Sequence, residues 1–307
     1  MNDGLDFIGD IHGHADELEA LLGRLGYVER QGVYQHPRRC VVFLGDFIDG
    51  GSKNKRVVEI ARAMVSAGGA FAIMGNHEYN AICYHTRDPE DPDKWLRSHS
   101  EDHRRQHETT LAEIEGDPQA IDDMVGWFRT LPLYLDLESV RAAHACWDHR
   151  WIAYLANRLG ASVKMDDAFL AASSKKGTAE HDAVETVLKG AEIELPAGVA
   201  FPDKNGKMRN EARVRWWASE AKDLAGMVIG PPSLYEETRG LPATPEALQA
   251  YPPIEPPVFF GHYWFTGQPD LQAPNVACLD YSVARNGKLV AYRWDGEHAL
   301  DPASFIW

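Results

Sequence analysis

The segment LDFIGDIHGH, at residues 5–14, begins with an apolar run that changes abruptly to aspartate, glycine and histidine. The same change occurs in CVVFLGDFIDGG at residues 40–51 and in GAFAIMGNHE at residues 69–78. Between these segments, residues 14–25 and 55–65 carry apolar side chains at helical spacing. Apolar strands that alternate with amphipathic helices are typical of an α/β protein whose consecutive strands lie side by side.

The alternation stops near residue 80. Residues 80–130 and 147–230 are mostly helical in pattern, and the proline-rich residues 231–257 indicate an ordered loop or linker. Asn286-Gly287 is a strong hairpin signal between two late strands. The further predicted strands are 133–137, 140–145, 258–261, 276–281 and 289–294.

Composition excludes several classes of protein. The 307 residues are 44% hydrophobic and 25% charged, which is ordinary globular usage, and no apolar run reaches the roughly 20 residues of a membrane span. The net charge of −15 disfavours a stable complex with nucleic acid, because it repels the phosphate backbone. The acidic N-terminus is unlike a signal peptide, and the four scattered cysteines favour reduced thiols, so we expect a cytoplasmic protein.

Potential metal ligands follow the predicted strands directly. Because ligands bind outside the carboxyl ends of strands in open α/β sheets, we expect these side chains to converge. Oxygen and nitrogen ligands without thiolate suit Mn, Fe, Zn, Co or Ni, and the two oxygens of one carboxylate can bridge two ions. The candidate ligands are Asp10, His12, Asp46, Asn76, His144 and His262.

Taken together, these motifs resemble the calcineurin-like metallophosphoesterases. The motifs are, in order, DxH, GDxxD, GNHE, an isolated histidine and GH, and they cover residues 5–80 and short islands near 144, 262 and 276–294. Gly261-His262-Tyr263-Trp264 lacks the second histidine of the GHxH found in the wider family. This places the chain nearer the branch of serine/threonine phosphoprotein phosphatases and symmetrical bis(5'-nucleosyl) tetraphosphatases, whose late IDTG strand is similar to residues 278–281.

The resemblance implies a fold and a set of roles. The fold would be two packed mixed β-sheets flanked by helices. One metal ion would be held by Asp10, His12 and Asp46, and a second by Asp46, Asn76, His144 and His262. His77 would be the general acid and Asp49 would orient it, which agrees with the chemistry of an imidazolium beside a carboxylate. Manganese is the expected ion, with iron, zinc, cobalt or nickel as alternatives.

The chain departs from the family at Gly50, where GDxxDRG carries an arginine. A guanidinium that would clamp phosphate is therefore missing from its usual place, which leaves the substrate class open. Two sets of basic residues could replace it. One is Lys53, Lys55 and Arg56 after the second motif, and the other is Arg97, Arg104 and Arg105.

Several further residues have two interpretations. His99, His103 and His107 would share one helical face, which is more often a solvated surface than an accessory metal site. Of the tryptophans at 216, 217 and 264, at least two are expected to pack in the core rather than against a substrate ring. Asp280 is expected to be structural, because buried carboxylates often hold loops.

These observations predict a metal-dependent phosphatase. We expect a single domain over residues 1–307, with helical insertions at about 80–130 and 147–255 that cap the metal face. The expected reaction is hydrolysis of a phosphate ester or anhydride, with a small phosphorylated molecule or nucleotide favoured as substrate. The alternatives are a serine/threonine phosphoprotein phosphatase and a metal-binding regulatory protein with weak catalysis. The sequence leaves the oligomeric state open.

Overall fold

The computed structural model describes residues 4–202, 206–244 and 250–307. Its α-helices are Ala15–Arg24, Asn54–Ser66, Asn76–Tyr84, Glu101–Gln106, Glu108–Ile114, Pro118–Phe128, His149–Leu159, Asp167–Ser173, Ala179–Lys189, Leu224–Met227 and Pro232–Thr238. Two 3-10 turns are Val283–Arg285 and Pro302–Ser304. Among these helices, none is both long and apolar enough to cross a membrane.

The strands are short. They are Gly4–Ile8, Val28–Arg30, Val33–Gln35, Arg39–Phe43, Ala70–Ala72, Tyr134–Asp136, Arg141–Ala143, Glu192–Glu194, Phe201–Pro202, Met208–Arg209, Glu211–Val214, Val228–Ile229, Val258–Phe260, Val276–Cys278, Asp280–Tyr281, Lys288–Leu289, Ala291–Trp294 and Phe305–Ile306.

The first sheet is built from the segments with which the chain begins. Gly4–Ile8, Arg39–Phe43 and Ala70–Ala72 are parallel neighbours, each linked to the next across a helix. Ala291–Trp294 pairs antiparallel with Gly4–Ile8, and Phe305–Ile306 completes the sheet at that edge. The predicted βαβαβ unit is therefore confirmed, and the sheet is mixed because the C-terminus returns antiparallel.

The second sheet joins the middle of the chain to its last third. Val258–Phe260 lies between Val276–Cys278 and Arg141–Ala143 and is parallel to both. Tyr134–Asp136 pairs antiparallel with Arg141–Ala143 at the edge. Like the first sheet, it directs the carboxyl ends of its parallel strands to one side of the molecule.

The two sheets pack face to face. Alternate residues of Gly4–Ile8 point to opposite faces, so that Phe7 enters the layer between the sheets while Ile8 packs under the flanking helices. The rings of Phe7 and Phe259, one from each sheet, stack with centroids 4.0 Å apart. The α/β sandwich of two mixed sheets expected from the resemblance is confirmed.

The segment after residue 147 corrects one expectation. Helices occupy residues 149–189 as predicted, but residues 192–229 contain a three-stranded antiparallel sheet instead of further helix. In Glu192-Ile193-Glu194 only the central residue is buried, and Ile193 packs with Val214 and Leu224 in a small cluster of its own. Alternation over three residues is too short for a sequence pattern to distinguish a strand from a loop.

The C-terminal hairpin and the proline-rich stretch also differ in detail from the predictions. Asp280–Tyr281 pairs antiparallel with Lys288–Leu289, so the hairpin exists, and Asn286 takes φ of 60° in its turn. A 3-10 turn makes the connection longer than two residues. The proline-rich stretch contains the helix Pro232–Thr238, and its residues 245–249 lie outside the described residues. The four cysteines, all within the described residues, form no disulfide and are buried.

Candidate metal centre

The strand ends of both sheets meet at one place. Asp10, Asp46 and Asn76 follow the three parallel strands of the first sheet, and His144 and His262 follow two parallel strands of the second. Backbone contacts join the two sets of loops, because the Gly261 N–H donates to the His144 carbonyl at 2.8 Å. The His262 N–H donates to Asp10 Oδ2 at 2.9 Å. The predicted candidate ligands therefore lie together, and all are buried.

Asp46 lies at the centre of this group. Its Oδ2 atom is 3.4 Å from His144 Nε2, 3.7 Å from His12 Nε2 and 3.9 Å from His77 Nε2. Asn76 Oδ1 lies 3.1 Å from His144 Nε2 and 2.7 Å from His262 Nδ1. Asp46 thus belongs to two groups of potential ligands at once, one with His12 and His77 and one with His144 and His262.

Hydrogen bonds to the backbone orient two of these imidazoles. His12 Nδ1 contacts the Ile48 carbonyl at 2.9 Å, and His144 Nδ1 contacts the Leu44 carbonyl at 2.7 Å. Because a carbonyl only accepts, each Nδ1 carries a proton, and Nε2 is the ring nitrogen that faces Asp46 and would be available to a metal ion. In a metal-binding histidine, the ring nitrogen that does not hold the metal usually donates to such a carbonyl.

Three buried polar atoms of the site have no hydrogen-bond partner in the described structure. They are Asp10 Oδ1, His12 Nε2 and His262 Nε2. Buried polar atoms are nearly always satisfied, so three neighbouring exceptions that are all lone-pair donors fit cations held between them. The donor set of this chain therefore fits divalent metal ions.

Burial and neighbouring charges shift the pKa values of the aspartate and the histidines in the cluster. Burial opposes ionisation of Asp46, but the charges of His144 and His77 outweigh it and hold the pKa of Asp46 well below its ordinary value. Burial also acts against the charged form of His144, yet Asp46 raises the pKa of His144 to about 10. Burial dominates at His12 and lowers its pKa to about 4. Asp46 is therefore an anion that attracts positive charge to the centre.

Asp49 and His77 form an ion pair beside the cluster. His77 Nδ1 donates to Asp49 Oδ2 at 2.8 Å, and the His77 backbone N–H donates to Asp46 Oδ1 at 2.9 Å. Burial opposes the charge on His77, but Asp46 and Asp49 together raise its pKa to about 9. His77 Nε2 faces the cluster, so the structure brings the predicted acid next to the candidate ligands.

Two residues that contact Asp49 were not predicted from the sequence. His107 Nδ1 lies 2.8 Å from Asp49 Oδ1, and the Thr110 hydroxyl donates to the same oxygen at 2.5 Å. His107 was expected to lie on a solvated face, but the helix is interrupted at this residue and its side chain is buried. A break between two short helices leaves little periodic signal, so the sequence alone did not place His107.

Glu78 is a third residue without a predicted role. Its carboxylate accepts the backbone N–H groups of Asp46, Phe47 and Gly75 at 2.8–2.9 Å. It therefore joins the loops that follow two neighbouring strands. The sequence feature that could have drawn attention to Glu78 is its position directly after Asn76 and His77 in the GNHE motif.

Several of these residues adopt strained backbone conformations. The φ angles of His12, Asp46, Asp49 and His262 are 49°, 50°, 68° and 72°. Non-glycine residues rarely adopt this left-handed region, and such strain concentrates at functional sites that the surrounding structure holds in place.

The basic residues suggested for the site mostly point elsewhere. Lys53 and Arg56 form ion pairs with Asp16 and Glu19. At the start of helix Asn54–Ser66, Glu113 accepts the N–H groups of Asn54 and Lys55. Arg104 pairs with Glu115 and Arg105 with Asp102. Of the two sets, Arg97 alone lines a cavity together with His77.

Atoms of neighbouring residues pack closely around Gly50. Its N–H donates to the Thr109 hydroxyl at 2.9 Å, and a β-carbon there would lie 3.0 Å from the β-carbons of His12 and Ala284. An arginine at this position would need its neighbours to shift.

The other histidines, the tryptophans and Asp280 lie in different surroundings. His99 stacks on Tyr84 and His103 contacts the Ser98 carbonyl, and neither belongs to a potential metal cluster of the described residues. Trp216 and Trp217 are buried in the core, whereas the ring of Trp264 stacks on His12 with centroids 5.2 Å apart. Asp280 accepts the N–H groups of Trp264 and Ser282, which is the expected structural role.

The sandwich and the aspartate–histidine cluster at its strand ends define a metallophosphoesterase fold. Residues 5–153 match the family model described as calcineurin-like phosphoesterase. This part of the chain is therefore similar to the calcineurin-like phosphoesterases.

Two curated relatives match part of the chain. The asymmetrical bis(5'-nucleosyl)-tetraphosphatase PrpE of Oceanobacillus iheyensis is 43% identical over 74 residues, which is 24% of this chain and 30% of that protein. The protein of the same name from Geobacillus thermodenitrificans is 29% identical over 171 residues, 53% of this chain and 65% of that protein. The chain thus matches under two thirds of the length of either. Both names say asymmetrical, whereas the motifs resemble the branch that includes the symmetrical enzymes.

Two solved structures share the fold across nearly the whole chain. A mutant of a cold-active protein tyrosine phosphatase has a TM-score of 0.54 and 15% identity, over 95% of this chain and 75% of that chain. A protein serine/threonine phosphatase from Saccharomyces cerevisiae has a TM-score of 0.53 and 13% identity, over 99% and 78%.

Proposed function

We propose that this chain hydrolyses phosphate esters or anhydrides with the help of divalent metal ions. The observation that carries the proposal is Asp46, whose Oδ2 atom lies within 3.9 Å of three imidazole nitrogens at the meeting point of two sheets. The matching family model and the names of the relatives support the same reaction class.

Two ions are the number proposed. Asp10, His12 and Asp46 would hold one, and Asp46, Asn76, His144 and His262 the other, with Asp46 shared. Two groups of potential ligands overlap at Asp46, which supports a shared Asp46, although the first group contains His77 and not Asp10. Asp10 is included because its Oδ2 atom lies 3.9 Å from His12 Nε2. When bound, such ions polarise phosphoryl oxygens and make water nucleophilic at neutral pH. Manganese is the proposed native ion, and the cytoplasm is the proposed location.

The protein's own acid is His77. A leaving oxygen needs a proton as its bond to phosphorus breaks, and His77 Nε2 faces the cluster while Nδ1 donates to Asp49. Asp49 keeps this tautomer and favours the imidazolium. His107 and Thr110 contact the other oxygen of Asp49 and so fix the position of its carboxylate relative to His77.

A small phosphorylated molecule or nucleotide is the proposed substrate. The segment before residue 130 reaches over the site, because Thr109 and Thr110 contact Gly50 and Asp49. A partly covered site suits a small molecule better than a folded phosphoprotein. The tetraphosphatase names of the relatives support this preference. The single-domain organisation, with insertions that cap the site, is part of this proposal.

The test is a screen of the full chain reconstituted with Mn, Fe, Zn, Co or Ni. Phosphopeptides, nucleotides, dinucleoside polyphosphates and phosphodiesters are offered in parallel, with elemental analysis of the same samples. Turnover of nucleotides in preference to phosphopeptides is expected. Full metal occupancy without turnover of any compound would instead favour a metal-binding regulatory protein.

A further inference from the structure

A cavity of about 350 Å³ lies between the helical segment before residue 130 and the one after residue 147. Asn80 and Arg97 line it from the first segment, and residues of helices Asp167–Ser173 and Ala179–Lys189 line it from the second. The described residues that line it include no proposed metal ligand and neither member of the proposed acid pair. This interhelical cavity is therefore separate from the candidate metal centre, and its volume is within the range that holds a small organic molecule.

Arg97 is a partly buried cation of this cavity whose partners are neutral. Its Nη1 atom donates to Asn80 Oδ1 at 2.9 Å, and its Nη2 atom donates to Gln106 Oε1 at 2.7 Å. Within the described ranges of the chain, no carboxylate lies at ion-pair distance from Arg97, and burial lowers the pKa of its guanidinium. A guanidinium has five N–H donors, so three remain for a ligand. A cation removed from water without a counter-ion is costly, so an anion bound here would be stabilised.

Two lysines from the second segment add positive charge to the same cavity. Lys176 is exposed and has neither a hydrogen bond nor an ion pair with any other described residue. Lys189 pairs with Glu185, which is the one carboxylate among the described lining residues. Three cationic side chains against one carboxylate oppose the sign of a chain whose net charge is −15. The local field of the interhelical cavity therefore attracts anions.

We propose that the interhelical cavity binds a phosphate group other than the one hydrolysed, through Arg97, Lys176 and Lys189. This inference goes beyond the proposed function, because the site needs no metal ion and its ligand undergoes no reaction. A phosphate dianion presents acceptor oxygens in several directions, so donors of both segments can reach it, whereas a carboxylate presents two oxygens in one plane. Free phosphate and the phosphoryl group of a small organic molecule share this chemistry, and the test separates these two sources.

The experiment measures binding to the full chain by calorimetry at low ionic strength. The probes are inorganic phosphate and ethylphosphonate, whose phosphorus–carbon bond resists hydrolysis, and succinate is the carboxylate of matching charge. Arg97→Gln and Lys176→Glu are each expected to weaken binding of the probes at this site about 10-fold or more, because a hydrogen bond between charged groups is worth roughly that factor. Lys176 is exposed, so its variant tests the site even where Arg97→Gln disturbs the fold. Lys175→Gln is the matched control, since this neighbouring lysine pairs with Glu90 and does not line the cavity.

Removal of metal distinguishes this site from the metal centre. Treatment of the unsubstituted chain with a chelator, or His262→Ala, should abolish metal-dependent phosphate binding and leave the binding that Lys176→Glu weakens. Binding of ethylphosphonate alone would identify an organic phosphate as the ligand, and binding of both probes would show that the phosphate group is sufficient.

Three results would overturn the inference. They are the absence of binding of either probe after metal removal, equal binding of the probes by Lys176→Glu and Lys175→Gln, and binding of succinate as tight as that of phosphate. The proposed function fails separately, because a chain that hydrolyses no phosphate compound would still bind the probes in this cavity.

Discussion

At the scale of single residues, Asp49 connects the chemistry to the surrounding structure. One of its oxygens accepts from His77, and the other accepts from His107 and Thr110. Burial acts against its charge, but these hydrogen bonds prevail and hold the pKa of Asp49 below its ordinary value. A carboxylate fixed in this way can orient an imidazole without becoming protonated itself.

The first prediction concerns His77. His77→Asn should slow hydrolysis of an alkyl phosphate by about 10²–10⁴-fold, because alkoxide needs a proton to leave. On p-nitrophenyl phosphate the loss should be much smaller, since nitrophenolate leaves readily. Asp49→Asn should follow the same pattern more weakly. Steady-state rates on the two substrates measure the difference.

Metal analysis of the same proteins is the control for His77. Its Nε2 lies 3.9 Å from Asp46 Oδ2, so a role as a ligand is the direct alternative. Metal content near that of the wild type agrees with general acid catalysis. Loss of metal, or equal slowing of both substrates, would show that His77 has another role.

The second prediction concerns the proposed ligands Asn76 and His262. Asn76→Ala or His262→Ala should lower bound metal and reduce activity by orders of magnitude, because each variant removes a ligand. Added metal should partly restore the rate. His103→Gln is the matched control, since this histidine contacts Ser98 and lies outside the ligand cluster. An unchanged metal dependence in both alanine variants would refute the ligand assignment.

The third prediction uses a glycine at the centre. A β-carbon on Gly261 would lie 1.9 Å from Asp10 Oδ1, so Gly261→Ala must displace that carboxylate. Bound metal should fall, and the melting temperature should fall with it. Gly126→Ala is the control, because its added β-carbon would meet nothing within 4 Å beyond its chain neighbours and the backbone of its own helix, Pro118–Phe128. Gly126→Ala should leave the free energy of unfolding unchanged or raise it by roughly 0.5–1 kcal/mol. Equal behaviour of the two variants would contradict the tight packing at Gly261.

At the scale of elements, helix Glu108–Ile114 caps another helix. Glu113 accepts the N–H groups of Asn54 and Lys55 at the start of helix Asn54–Ser66, where Lys53 provides no side-chain cap. Unpaired N–H groups at a helix start otherwise lack partners within the helix. The segment after residue 80 is therefore joined to the βαβ unit by a polar contact as well as by packing.

The fourth prediction tests this contact. Glu113→Ala should lower the free energy of unfolding by about 1–2 kcal/mol, which is the usual cost of losing a cap. Glu115→Ala removes an exposed carboxylate whose partner is Arg104 on the surface, and it should cost under about 1 kcal/mol. Urea unfolding of both variants measures the difference. An equal loss of unfolding free energy in the two variants would show that Glu113 does not stabilise the start of helix Asn54–Ser66.

At the scale of the whole molecule, the fifth prediction concerns stability against pH. Burial, followed by the nearby His107 and His99, lowers the pKa of His85 to about 4. The unfolded chain protonates this residue near its ordinary value of about 6.5. Between these values the unfolded state binds more protons, so the stability of the wild type should fall as pH falls from about 6.5 to 4.

His85→Gln removes that contribution. The unfolding free energy of the wild type should therefore fall relative to His85→Gln on acidification through this window, and the two should run parallel above it. Urea titrations at a series of pH values provide the comparison. Parallel curves from pH 7 to 4 would show that His85 titrates normally in the folded protein.

The sequence pattern predicted the alternating strands and helices of the first sheet, and the family resemblance predicted the sandwich of two sheets. Each parallel strand of the first sheet reads as an apolar run followed by a polar turn, and the carboxyl ends of parallel strands must meet at one edge. That rule places Asp10, Asp46 and Asn76, and it also names His144 and His262 after later strands. For His144 the resemblance was needed as well, because an isolated histidine in an apolar strand is more often a core residue.

The tertiary structure alone decided the surroundings of the centre. Glu113 reaches Asn54 across 59 positions of sequence, and the partner of Lys53 is Asp16, 37 positions away. His107 reaches Asp49, 58 positions away, because it lies at the break between two short helices that pack beside the loops of the first sheet. Strand and helix patterns are local and appear in a sequence window, whereas the partner of a charged side chain depends on which distant segments the fold brings together.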